Sequence, residues 1–150
     1  MKERITESLG IKEVVGEIPV WYLYTVGIAG EKFFRGLKQG KLIGVRCDRC
    51  HKIYLPPKIY CLNCFKELTE KDYLEIDNEG EIYSFTQLQV DLECNKLDKP
   101  QTIAFVKFKN VTGGLIQRIE SKKLKIGMKV KVKFDRVSDD NLMNIYFVPK

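Results

Sequence analysis

From Tyr73 onward, apolar and polar residues alternate along the chain. Lys129, Lys131 and Lys133 interleave with Val130, Val132 and Phe134. That period of two gives a strand one buried face and one wet face. The same reasoning predicts strands over Glu81 to Val90, Gln101 to Lys109, Gly114 to Glu120, Met128 to Arg136 and Met143 to Val148. Turn signals separate them: Asp77-Asn78-Glu79-Gly80, Asp98-Lys99-Pro100, Thr112-Gly113-Gly114, a Lys-rich stretch ending at Gly127, and Ser138-Asp139-Asp140-Asn141. Strands this short and closely spaced suit a small closed barrel, which removes exposed sheet edges. The five-stranded OB-fold is the best match. Its usual helix between strands three and four would fall on Ser121 to Lys125.

Upstream the period changes. Phe33, Phe34 and Leu37 share one face at helical spacing, which predicts a short helix over Glu31 to Gln39. Gly40 suits the position after its end, with Lys38 in the last turn. So short a helix is marginal alone. Its apolar face either packs on the same chain, the simpler reading, or docks on another protein. Lys41 to Arg46 reads as a strand, with its return at Lys52 to Leu55. Pro56-Pro57 breaks that return, and Lys66 to Lys71 is a polar connector. Trp21, Tyr22 and Tyr24 form an aromatic cluster expected to be packed. Gly10, Gly16 and Pro19 leave residues 1–20 weakly patterned. The expected organisation is mainly β: an N-terminal helical segment (1–40), a small ribbon (41–71) and an OB-fold (72–150).

Charge adds an anionic partner to the picture. The net charge is +6, and Gln101 to Arg136 holds ten Lys or Arg against Glu120 and Asp135. Such a cluster suits nucleic acid, cofactor phosphates or an acidic protein surface, and equally a solvated lysine-rich face. No apolar run approaches the roughly 18 residues of a membrane-spanning helix. The start, Met1-Lys2-Glu3-Arg4, leads into no apolar signal core. A cytoplasmic protein is therefore expected.

Five cysteines are present, and four form two Cys-x-x-Cys pairs, Cys47/Cys50 and Cys61/Cys64, ten residues apart. An odd count with paired spacing argues against a secreted disulfide framework. Each pair can aim two thiolates at one point, and two such turns complete a tetrahedron around zinc. Binding energy on the order of 10 kcal/mol lets a small core become ordered. Iron fits the same geometry. Disulfides remain open in a heat-adapted protein, whereas a redox dithiol lacks the surrounding βαβ pattern. In such knuckles the residue after the second cysteine favours positive φ and is usually small. Here it is His51 and Phe65. Histidine tolerates that region better than phenylalanine, which predicts a distorted second knuckle. His51 reads as a surface residue and Cys94, in the first barrel loop, as incidental.

Catalytic patterns are missing. The one histidine stands beside a metal ligand, so no Ser-His-Asp arrangement forms. No P-loop or dinucleotide fingerprint follows a strand. A closed four-cysteine site leaves no position for a catalytic water. Neither catalysis nor catalytic residues are expected of this chain alone.

Two strings carry a resemblance. One is Phe33-Phe34-x-Gly36-Leu37-x-x-Gly40-Lys41-Leu42, then Arg46-Cys47-x-x-Cys50, Tyr54, Pro56-Pro57 and Cys61-x-x-Cys64. The other is Gly80-x-x-Tyr83-Ser84-Phe85-Thr86, Pro100, Ala104 and Leu124-x-Ile126-Gly127-Met128-x-Val130. Together they resemble a prokaryotic family, domain of unknown function number thirty-five, also called the acyl-CoA-associated OB-fold family. The resemblance runs from about Trp21 to the C-terminus and implies a helical segment, a rubredoxin-like zinc ribbon and an OB-fold. It carries over the four cysteines as structural zinc ligands. It also implies partnership with thiolases and related condensing enzymes. One archaeal member is similar to a subunit that bridges acetoacetyl-CoA thiolase and hydroxymethylglutaryl-CoA synthase, in the mevalonate pathway.

Two functions follow. The first is a non-catalytic scaffold that handles acyl-CoA by aligning two active sites. Lys107, Arg118, Lys129, Lys131 and Lys133 would then meet coenzyme A phosphates or partner acids, and Phe33, Phe34 and Leu37 would dock. The second is a nucleic-acid-binding ribbon and OB-fold. Phe105 and Phe108 on strand two point to opposite faces, and strand three has no aromatic, so the stacking surface is weak. The resemblance favours the scaffold.

Overall fold

The computed structural model describes residues 21, 25–91, 95–121, 123–135 and 145–150. A helix α1 (Gly27–Lys38) is followed by β1 (Leu42–Arg46), β2 (Ile53–Leu55) and a 3-10 turn at Glu70–Asp72. Then come β3 (Tyr73–Ile76), β4 (Glu79–Val90), β5 (Lys96–Phe108), β6 (Val111–Gly113), β7 (Leu115–Arg118), β8 (Lys129–Phe134) and β9 (Ile145–Pro149). The expected fold class holds: a helix, a ribbon and a five-stranded barrel.

The helix begins a turn earlier than its aromatic pattern suggests. It ends as expected: Gly40 has φ 72°, its N–H reaches the Leu37 carbonyl at 3.0 Å, and the Lys41 N–H reaches Gly36 at 2.9 Å. This paired closure satisfies carbonyls the helix would otherwise orphan. Gly36 lets α1 lie close on β1, since a Cβ there would meet Ile43 at 2.3 Å. Phe33 and Leu37 are buried in the main core, and Phe34 packs half-buried against it. The simpler reading of that face therefore holds. Phe33 and Leu37 are not free to dock on a partner.

The barrel sheet runs β7-β5-β4-β8-β9, all antiparallel. A parallel bridge between Ile119 and Phe147 closes it, with the Glu120 N–H donating to the Phe147 carbonyl at 3.0 Å. Val130 and Val132 point inward and Lys129 and Lys133 outward, as the alternation requires. The described residues of 121–125 contain no helix, contrary to expectation. That stretch is four-fifths polar or lysine and offers no apolar face to hold a helix on the barrel.

A second sheet, β3-β1-β2-β6, stitches ribbon to barrel. Its last strand comes from the stretch read as a turn. Val111–Gly113 pairs in parallel with Ile53–Leu55. Gly113 (φ 95°) permits this, because a Cβ there would lie 2.4 Å from the Leu55 carbonyl oxygen. One core joins Phe33, Leu42, Leu55 and Ile76 to Ile82, Val106, Val130 and Phe147. A smaller one, Val45, Cys47, Tyr54, Cys61 and Leu68, surrounds the thiols. Of the aromatic cluster expected to be packed, Trp21 is instead 95% exposed. Tyr22, Tyr24 and the loop cysteine Cys94 lie outside the described residues, as does the weakly patterned segment 1–20.

Candidate metal centre

The first knuckle follows β1 and the second follows β2, so two antiparallel strands aim both at one point. The backbone of each closes the same way. Cys47 N–H donates to the Lys52 carbonyl at 2.9 Å and His51 N–H to the Cys47 carbonyl at 2.8 Å. In the second, Cys61 N–H donates to Lys66 and Phe65 N–H to Cys61, both at 2.9 Å. His51 has φ 55° and Phe65 φ 56°. The predicted distortion of the second knuckle is therefore absent. Phenylalanine is held in the left-handed region, because the turn's hydrogen bonds require that backbone whatever the side chain.

The sulfurs of Cys47, Cys50, Cys61 and Cys64 all lie within 4.8 Å of one another. Cys47 and Cys64 are 3.7 Å apart and none of the four is in a disulfide. A tetrahedron with zinc–sulfur bonds of about 2.3 Å has edges of about 3.8 Å, so the donor set fits a four-thiolate ion. Iron in rubredoxin-like geometry fits the same donors. His51 is exposed and outside this cluster.

Outer donors orient the sulfurs. The Cys50 N–H points at Cys47 Sγ (3.4 Å) and the Asn63 N–H at Cys61 Sγ (3.4 Å). Asn63 Nδ2 donates to Cys50 Sγ at 3.2 Å, and the buried Tyr54 hydroxyl lies 3.3 Å from Cys61 Sγ. The Tyr54 hydroxyl beside it, helped by backbone N–H groups, holds the Cys61 thiol down at about 6. The same hydrogen bond, reinforced by burial, pushes Tyr54 up to about 12. A thiolate is thus favoured at Cys61, as ion binding requires. Tyr54 and Asn63 were not singled out by chemistry from sequence alone. Their signal was positional: Tyr54 lies on the short strand between the two cysteine pairs, and Asn63 lies between the second pair of cysteines.

The five basic residues do not form one patch. Lys129 pairs with Glu81 (2.5 Å) and Lys131 with Glu79 (2.9 Å), across the β4–β8 ladder. Arg118 meets Asp135 at 3.3 Å and lies over the Tyr146 ring at 5.1 Å. Lys133 is exposed opposite Tyr146. Lys107 Nζ stands 3.6 Å above the Tyr83 ring. Lys107 and Lys129 share a cleft of about 640 Å³ with Lys109, Glu75, Glu79 and Glu81, where ribbon meets barrel. Phe105 and Phe108 take opposite faces, as expected; Phe108 is the core residue and Phe105 is partly exposed. There Phe105 packs edge-on against Tyr83, with ring centroids 5.8 Å apart. That second aromatic comes from β4, the first barrel strand, and not from the second or third.

Residues 34–70 match the family model of the rubredoxin-like zinc ribbon domain of ChsH2, and residues 73–135 that of its C-terminal OB-fold domain. A solved structure of a protein of unknown function from the DUF35 family, from Sulfolobus solfataricus, matches with a TM-score of 0.68. It is 36% identical over 83% of this chain and 87% of that one. The chain belongs to the DUF35 family. A DUF35 domain-containing scaffold protein of Methanocaldococcus jannaschii is 28% identical over 102 residues, 66% of this chain and 71% of the relative. A chain of the Ltp2–ChsH2(DUF35) aldolase shares the fold at a TM-score of 0.64 and 22% identity, covering 85% of this chain and 98% of that one. Among the described residues no helix is long and apolar enough to cross a membrane.

Proposed function

We propose that this DUF35 chain is a non-catalytic scaffold subunit. Its partner is a thiolase or related condensing enzyme, and it helps hand over acyl-CoA intermediates, in acetoacetyl-CoA and mevalonate metabolism. The observation that carries this reading is the closed set of four thiols, within 4.8 Å of one another. It uses all four positions of a tetrahedral ion for structure and leaves none for substrate. The four cysteines hold zinc, or iron in the same place, and the ion stabilises the ribbon against the barrel. Two relatives support the rest: one described as a scaffold, and one that forms an aldolase together with Ltp2. Hydroxymethylglutaryl-CoA synthase is the second enzyme such a bridge would serve. Coenzyme A phosphates would meet Lys107 and Lys109 in the cleft. Lys129 and Lys131 already face Glu81 and Glu79.

A second reading rests on the Tyr83–Phe105 pair beside Lys107, a small stacking platform for single-stranded nucleic acid. It is weaker, because acids neutralise most of the nearby cations that would track a phosphate backbone. Recovery of the tagged chain from its host at moderate salt tests both. A thiolase and a second acyl-CoA enzyme in fixed ratio are expected. Nuclease-sensitive recovery of ribosomal or replication proteins would replace the scaffold with the nucleic-acid reading.

A further inference from the structure

The four sulfurs are not equally protected. Cys47 and Cys61 are fully buried, whereas Cys50 and Cys64, the second member of each pair, are half-buried. Water and protons therefore reach the cluster at Cys50 and Cys64. A thiolate leaves a metal most readily when its sulfur takes up a proton, because only the deprotonated form is a ligand. Exposure alone would make these two cysteines equally easy to release.

Asn63 breaks that equality. It lies in the second knuckle, and its backbone N–H points at Cys61 Sγ of the same knuckle, 3.4 Å away. Its side-chain amide turns the other way and donates to Cys50 Sγ of the first knuckle at 3.2 Å. Among the described residues this is the one amide that reaches a sulfur of the opposite knuckle. Cys64 has only a backbone amide donor, the Lys66 N–H of its own turn. A backbone donor moves with the turn that carries it. A side-chain donor from the facing turn ties its sulfur to a second, separately anchored loop. The Lys66–Asp48 ion pair also joins the knuckles, but it ends on a carboxylate rather than a sulfur. Partly exposed pairs of that kind contribute little.

We propose that Asn63 is a positioning residue that latches Cys50 from the opposite knuckle and leaves Cys64 as the exchangeable ligand of the site. The amide covers a lone pair of the Cys50 sulfur that a proton would otherwise take. It also holds a loosened thiolate where it rebinds. The carboxamide suits this task because it donates without carrying charge, whereas a carboxylate there would donate nothing and repel the thiolates.

The proposal rests on the four cysteines holding an ion, so zinc uptake by the full-length chain is measured first. A parent chain that takes up no zinc removes that reading, and the latch with it. The zinc-loaded chain is then treated with substoichiometric iodoacetamide, and the first cysteine modified is located by peptide mass spectrometry. In the parent, Cys64 is expected to react about tenfold faster than Cys50, the lower end of the effect of an outer donor on metal affinity. Asn63→Ala is expected to bring Cys50 up to the rate of Cys64, and to speed zinc loss to excess chelator by about tenfold. Asn63→Asp, of the same size but with no donor, should do at least as much. Lys66→Ala breaks the other tie and is expected to keep the preference for Cys64. Equal modification of Cys50 and Cys64 in the parent overturns the latch, as does a Cys64 preference that survives Asn63→Ala. Zinc loss as fast in Lys66→Ala as in Asn63→Ala also overturns it, because the knuckles would then loosen as a whole. If neither Asn63 variant takes up zinc, the latch is again overturned, since the amide would be needed to form the site and not to hold one ligand.

Discussion

The two knuckles share a backbone and differ in surface. Both turn at a residue with φ near 55°, and both close with the same pair of hydrogen bonds. Around the first stand Asp48, Arg49 and His51, polar and exposed. Around the second stand Leu62 (63% exposed) and Phe65 (80%), with Tyr60 nearby. Their inner sides differ too. Cys61 has the Tyr54 hydroxyl, while among the described residues no side-chain hydroxyl reaches Cys47. A four-thiolate site thus demands two things of a knuckle, sulfur position and turn geometry. It leaves the outward residues to other uses.

That comparison breaks most sharply at the cysteines. Cys47→Ser and Cys61→Ser are expected to be equally severe, since both sulfurs are buried members of one four-thiol cluster. Each should abolish bound metal and unfold the ribbon, removing binding energy on the order of 10 kcal/mol. Metal analysis and amide spectra of the two variants check this. If one of them kept a full metal complement, the knuckles would not be equal partners. Tyr54→Phe comes next and should act on the second knuckle alone. Loss of an outer donor typically lowers metal affinity by roughly 10–100-fold, measurable by competition with a chelator. Unchanged affinity would confine the asymmetry to the surface.

Phe65→Gly is expected to raise stability by about 1 kcal/mol, because glycine occupies positive φ without the side-chain penalty. His51→Gly should give less. Melting of the metal-loaded variants decides the order, and the opposite ranking would show that Phe65 is not the more strained. The smallest effect lies far from both knuckles and serves as their control. Hydrogen bonds from Lys150, then Lys131, hold the Glu79 carboxyl below its ordinary value of 4.5. A lowered carboxyl stabilises above its unfolded pKa and loses that contribution as pH falls through the folded one. Glu79→Gln should therefore melt slightly earlier near neutral pH and match the parent in stronger acid, with metal content unchanged. A gap that persists at low pH would mean that the glutamate acts through packing instead.

The legible parts of this fold were those set by local rules. Alternation at Lys129 to Phe134 fixed which face is core. Cysteine spacing brought four sulfurs together, and Gly40 marked the helix end. Other features depend on residues distant in sequence. Val111–Gly113 read as a turn because its partner strand lies over fifty residues upstream. Phe65 was expected to strain its knuckle, yet the turn's hydrogen bonds dictate φ there. The five cations formed a cluster in sequence, but the acids that neutralise Lys129 and Lys131 come from another strand. Sequence order hid that pairing, and with it the difference between a charged patch and a ladder of salt bridges.

The parallel pairing of β6 with β2 bears on how the chain is made. At a synthesis rate of about 5–20 residues per second, Gly113 emerges roughly 3–12 seconds after Leu55. During that interval a nascent ribbon can already gather its cysteines, but the outer edge of β2 waits for β6. β2 is three residues long, too short to recruit a stray strand effectively. Its brevity gives the growing polypeptide a safe pause before the barrel arrives.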